Sequence, residues 1–175
     1  MRVLLVFLFF AVVAFGQNRA TSEPAMPSQA EIPELLNKAN EKVSSFEDAV
    51  KNARPYLDRI NPKLVANYTD AAFTAHTIIS GMQKNGTSAY GLVGLLATLD
   101  DLSLNASTAS VQLLRTDEEH VAKGSPPDIG ALSAVILLGS ASTSCTDISE
   151  LIMHATLRYV GAEENILGKL LDGQK

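Results

Sequence analysis

The fourteen residues 129–142, IGALSAVILLGSAS, carry no charge and include Ile129, Leu132, Val135, Ile136, Leu137 and Leu138. At about 1.5 Å per residue a helix of this length covers about 21 Å, short of the roughly 30 Å of a bilayer core. The stretch therefore reads as the central helix of a soluble bundle, buried on more than one face. On its N-terminal side Gly124-Ser125-Pro126-Pro127 ends the preceding element, and Asp128 is placed to cap the apolar helix. On its C-terminal side Cys145 marks a junction, and Asp147 with Glu150 forms a capping-box-like pair for a last helix. The apolar face of that last helix is Ile148, Leu151, Ile152, Ala155, Tyr159, Ala162, Ile166 and Leu170, and Gly173-Gln174-Lys175 is expected to fray.

Three further helices are expected upstream. Ile32, Leu35, Leu36, Ala39, Val43, Phe46 and Val50 recur at steps of three and four, with charged residues between them. Glu34 with Lys38, and Glu47 with Lys51, stand in the favourable i,i+4 order. Pro55 predicts a break or kink around residues 52–56. Asn61-Pro62 opens a second helix with the face Leu64, Val65, Tyr68, Ala72, Ala75, Ile79 and Met82, which Asn85-Gly86 closes. Thr87 or Ser88 caps a third, with the face Leu92, Val93, Leu95, Leu96, Leu99, Leu102, Ala106, Ala109, Leu113 and Leu114. Gly91 and Gly94 weaken it by up to about 1 kcal/mol each, which close packing against a neighbour would justify. No stretch alternates with the period of a strand. The expected fold is all-α: an up-and-down bundle of about five helices, or six if the third breaks near Ser103–Ser107, with the helix at 129–142 at its centre.

Met1–Gly16 has the form of a secretory signal, with Arg2 at its positive end, an apolar run from Val3 to Phe15 and small residues at Ala14 and Gly16. Residues 17–30, with Pro24 and Pro27 and few large apolar side chains, have the composition of a flexible arm. The helical domain is then 31–172. The formal charge of −5 becomes −6 without Arg2, and Lys and Arg are scattered, which disfavours a nucleic-acid partner or a strongly anionic membrane surface. The expected destination is extracellular, and the mature chain is expected to hold no membrane span.

No catalytic constellation is apparent. His76, His120 and His154 lack the spacing of a zinc-binding helix or a di-iron bundle, and Glu150 with His154 supplies at most half a site. No glycine-rich phosphate cradle is present, so neither enzyme activity nor a cofactor or metal is expected. Asn67-Tyr68-Thr69, Asn85-Gly86-Thr87 and Asn105-Ala106-Ser107 are acceptor triplets for N-glycans in a secreted chain. Cys145, the single cysteine, is either a buried small hydrophobe or a donor to an intermolecular disulfide. Two functional classes follow. One is a carrier that holds a lipid or other small apolar molecule in its core. The other is an interaction module that meets a protein partner through its helix surface or by dimerisation.

Overall fold

The computed structural model describes residues 31–172, with side chains through Gly161. The signal sequence expected at 1–16, the arm expected at 17–30, the fraying expected at 173–175 and the side chains of Ala162, Ile166 and Leu170 lie outside the described residues. Four helices make up the fold: α1 Ile32–Ile60, α2 Lys63–Asn85, α3 Ala89–Ala122 and α4 Ile129–Asp172. Each helix packs on its sequence neighbour, α4 closes the ring against α1, and α1 also meets α3 across the middle. Short turns reverse the chain each time, giving an up-and-down four-helix bundle.

The helix count is four, below the five or six expected, and each missing break has a local reason. Pro55 lies inside α1 without ending it. The carbonyl deprived of its helical partner belongs to Lys51, which is exposed, so water can satisfy it. α3 runs unbroken through Ser103–Ser107 because Ser103 spends its hydroxyl across the bundle, on the Ser142 carbonyl at 3.1 Å and Thr146 Oγ1 at 2.7 Å. The apolar stretch and the supposed last helix are one 44-residue element. Between them Thr143 and Thr146 donate to the carbonyls four residues back, Gly139 and Ser142, so their hydroxyls follow the helix rather than compete with its backbone. Asp147 and Glu150 therefore sit inside α4 and do not cap a helix start. The 21 Å span inferred from 129–142 also falls, since 44 residues extend about 66 Å.

Other boundary signals act as read. Asn61 accepts from the Lys63 N–H at 3.0 Å, and Gly86 takes φ +90° at the end of α2. Ser88 Oγ accepts from the Gly91 N–H at 3.1 Å. Asp128 Oδ1 accepts from Gly130 and Ala131 N–H at 3.0 and 3.2 Å, capping α4. Gly91 allows the predicted close approach: a Cβ there would stand 2.7 Å from Met82 Sδ.

The core is mostly the one read from periodicity. All seven apolar positions named for α1 are buried, joined by Ala49, Ala53 and Leu57. Phe46 and Tyr68 meet edge to face at the α1–α2 contact, ring centroids 5.8 Å apart. Glu34 pairs with Lys38 at 2.7 Å, whereas Glu47 meets His76 of α2 at 3.2 Å in place of the expected Lys51 pairing, tying helices together instead of decorating one.

The largest departure concerns residues 129–142. They were expected to be buried on more than one face, yet Ile129 is 78% exposed, Ile136 68% and Leu137 40%. The buried side of this stretch is Ala131, Ala134, Leu138 and Ala141, followed by Cys145. Alanine predominates on that buried side, while Leu132 and Val135 are half-buried and Ile129, Ile136 and Leu137 face outward. α4 is one wall of the bundle and not its centre.

Candidate interaction surface

The seam between α3 and α4 fixes which side chains share a surface. Ser110 Oγ donates to the Val135 carbonyl at 3.1 Å, Ser103 and Ser142 exchange hydroxyl bonds, and Ser149 donates to Asp100. These pairs define one antiparallel register. One residue beyond each seam position, about 100° further round the helix, the side chain leaves the seam. Because the helices run in opposite directions, that step turns α3 and α4 toward the same outer side. Leu104 and Val111 follow Ser103 and Ser110 on α3, and Ile136 follows Val135 on α4. Leu104 is 67% exposed and Val111 46%. Val93, seven and eleven residues being near-whole numbers of turns, continues the same stripe of α3 toward Met153 and Leu157 of α4.

The surface so formed is apolar and uncharged for much of its length: Ile129–Thr146 contains no Asp, Glu, Lys or Arg. By length and composition Ile129–Gly161 is apolar enough to cross a membrane, and only 28% of its most apolar window is buried. Isolated exposed leucines are ordinary on a soluble protein; an apolar stripe spread over two adjacent helices is not.

The other predicted positions fall elsewhere. Asn67, Asn85 and Asn105 are all exposed, so the outward orientation that Asn67 and Asn105 require for glycans is present. Asn67 and Asn85 lie on α2. Asn105 lies on the flank of α3 toward α2, where its carbonyl accepts from Tyr68 Oη at 2.8 Å. The three asparagines thus lie on α2 or on the flank of α3 toward it. Cys145 is 0% exposed, on the inner side of α4, and burial pushes its thiol up to about 11, though Lys42 pulls it slightly back. In the folded chain it is a packed small hydrophobe with little thiolate at neutral pH.

Two clefts are the best-formed hollows. One, of about 290 Å³, lies at the α1 C-terminus, floored by Ile60, Leu113 and Ala131. Its polar rim is already paired within itself. Arg59 contacts Asp128 at 3.2 Å and sits 5.0 Å from the Tyr56 ring, while buried Asp117 accepts from the Asp128 N–H at 2.8 Å. The Ala131 N–H holds the Asp128 carboxyl below its usual range against the opposing effect of burial, with Arg59 and the Gly130 N–H adding to it. The second cleft, about 240 Å³, lies between α1 and α2 beside Tyr68 and Val65. Both open to solvent, and neither lies in the middle of the bundle. Among the described residues no group of three His, Cys, Asp or Glu side chains is placed to hold a metal.

The triplets at Asn67, Asn85 and Asn105 and the single Cys145 are legible in the sequence, whereas the apolar surface is not. Its signal was present in the mixture of sizes within 129–142, where alanines and glycines alternate with branched residues. Uncharged residues give no indication of which of the two sets faces water. Comparison of the chain with protein-family models, curated proteins and solved structures found no match, which leaves function to the chemistry of its own surface.

Proposed function

We propose that the protein is a secreted, non-enzymatic interaction module whose working surface is the outer face of α3 and α4. The observation that carries this reading is the exposure of Leu104, Val111, Ile129 and Ile136 on one side of a helix pair whose opposite side is packed into the core. Apolar side chains exposed in this way cost free energy in water that is recovered when they are covered. Secretion rests on the form of residues 1–16, and the exposed acceptors at Asn67, Asn85 and Asn105 are compatible with glycans that leave this face clear.

A carrier of a lipid or other apolar molecule in the core has less behind it. Apolar ligand pockets enclose most of their ligand, whereas the two clefts here, of about 290 and 240 Å³, lie open to solvent. α4 is read as a packed wall and not a membrane span. Ser133, Ser140, Ser142, Thr143, Ser144 and Thr146 interrupt its apolar window, and its inner side is committed to α1 and α3.

The test is a photo-crosslinking residue placed at Ile136 in the full chain, expressed and secreted by its own cells, with Glu41 on the opposite wall as the control. An adduct at position 136 and none at 41 is expected. Absence of any adduct from 136, and equally from 104 and 111, would overturn the reading. N-terminal sequencing of the secreted product is expected to begin at Gln17, and glycosidase treatment to lower its mass.

A further inference from the structure

We infer that Asn85, in the turn between α2 and α3, converts spontaneously to aspartate and isoaspartate through a succinimide, and that this conversion competes with N-glycosylation for the same amide. The conversion stands apart from the α3–α4 surface; the competition rests on the secreted, glycosylated reading above. Asn85-Gly86 is the one Asn-Gly step in the chain. Ring closure needs a backbone nitrogen free to attack, room beside it, and a peptide that can turn under the side-chain carbonyl. At the end of α1 the Asn61 N–H donates to the Leu57 carbonyl at 2.9 Å, and at the end of α3 the Lys123 N–H donates to the Glu119 and His120 carbonyls at 3.3 and 3.1 Å. Gly86 holds the same position at the end of α2, and its N–H makes no hydrogen bond of normal geometry among the described residues. Asn85 and Gly86 are both exposed, and nothing lies within 4 Å of where a Cβ on Gly86 would stand. The turn is tethered one residue further on, where Tyr159 Oη donates to the Thr87 carbonyl at 2.8 Å.

No other asparagine of α1–α3 combines these features. Asn37, Asn40, Asn52, Asn67 and Asn105 lie inside helices, where the following N–H is committed to the carbonyl four residues back and carries a side chain beside it. Asn61 precedes Pro62, which has no N–H to give. At Asn85, base removes the Gly86 N–H proton, the nitrogen bonds to Asn85 Cγ, and the Cγ–Nδ2 bond breaks as ammonia leaves. Water then opens the imide. Attack at Cγ restores the main chain with aspartate at position 85, and attack at the main-chain carbonyl reroutes the chain through Cβ as isoaspartate. In sum, an amide and water become a carboxylate and ammonium. Either product adds a negative charge at the C-terminal end of α2, where the helix already carries a negative partial charge. Neither keeps the Nδ2 to which a glycan attaches, and a glycan on Nδ2 encumbers the group that must leave.

The experiment follows the full chain, made in a host that adds no N-glycans, at neutral and mildly alkaline pH, both folded and in denaturant. Peptide mapping that resolves aspartate from isoaspartate reads each asparagine. Asn85 is expected to convert first, faster at the higher pH, and in the folded chain within about threefold of its unfolded rate, because no backbone bond of Gly86 has to open. Conversion first at another asparagine, or folded-state protection beyond about threefold, would overturn the inference. In the secreted chain, Thr87→Ala removes the acceptor triplet and keeps the main-chain carbonyl that Tyr159 holds. It is expected to raise the converted fraction at position 85 above that of wild type. Equal fractions with a glycan present on wild-type Asn85 overturn the competition. Equal fractions with no glycan there overturn the glycosylated reading of this site and the competition with it.

Discussion

α1 and α4 both bury one side, but they differ in what they leave outside. On α1 every exposed position is polar, charged, or proline: Glu34, Lys38, Glu41, Lys42, Lys51, Arg54 and Pro55 among them. On the first half of α4 the outside holds Ile129 and Ile136 and the inside holds Ala131, Ala134 and Ala141. In α1, hydrophobicity reports burial because charges mark the solvent. In the first half of α4 no charged residue marks the solvent side, and large side chains occur on both sides, Leu138 inside and Ile136 outside. Alanines make up much of the buried side there, together with Leu138, while Ile129 and Ile136 are left available for another surface.

The sharpest way to break this contrast is to remove volume where each helix is packed. Phe46 is fully buried in α1 and touches Tyr68 edge to face. Phe46→Ala is expected to cost about 3–5 kcal/mol in chemical denaturation, the largest single loss here. On α4 the revealing change is enlargement. Ala134→Leu, at 2% exposure, is expected to cost about 1–3 kcal/mol through overpacking against α1 and α3. A neutral or stabilising result would mean that α4 is not held close by its alanines.

How far the fold was legible follows the same division. The faces of α1, α2 and α3 could be read because polar residues break the apolar period, and the turns because Asn61, Gly86, Ser88 and Asp128 carry backbone chemistry that only local sequence supplies. Of the break or kink read at Pro55, the break does not occur, because a missing hydrogen bond costs little where the orphaned carbonyl meets water. The split of α4 does not occur: Asp147 and Glu150 resemble a cap, but the helix runs past them, beside the seam that Ser103 makes with Ser142 and Thr146. The outer surface could not be read from residues 129–142, since its orientation depends on which helices α4 meets.

A middle-sized effect is expected at the α2–α3 contact. Tyr68→Phe removes the 2.8 Å bond to the Asn105 carbonyl and is expected to cost about 1 kcal/mol. The pH dependence has a defined sign. Burial raises the Tyr68 hydroxyl from 10.0 to about 12 and the Cys145 thiol from 9.0 to about 11. In each case the neutral form is favoured in the folded state, so the contribution is complete below pH 9. It is lost as pH rises through about 11 for Cys145 and about 12 for Tyr68. Asp128 behaves oppositely. Held below 3.8 chiefly by the Ala131 N–H, it contributes above that value and the contribution is lost as pH falls through its folded value. Denaturation at stepped pH should show Tyr68→Phe with a shallower alkaline decline than wild type; an identical decline would remove Tyr68 from the account.

The smallest expected effect bears most directly on what α4 is for. Ile136→Ser is expected to change unfolding stability by less than about 0.5 kcal/mol, because its side chain is already 68% exposed. Leu138→Ala, two residues on and fully buried, is expected to cost about 2–5 kcal/mol under the same conditions. If Ile136→Ser instead destabilised the chain by as much as Leu138→Ala, Ile136 would belong to the core and α4 would be the central helix after all.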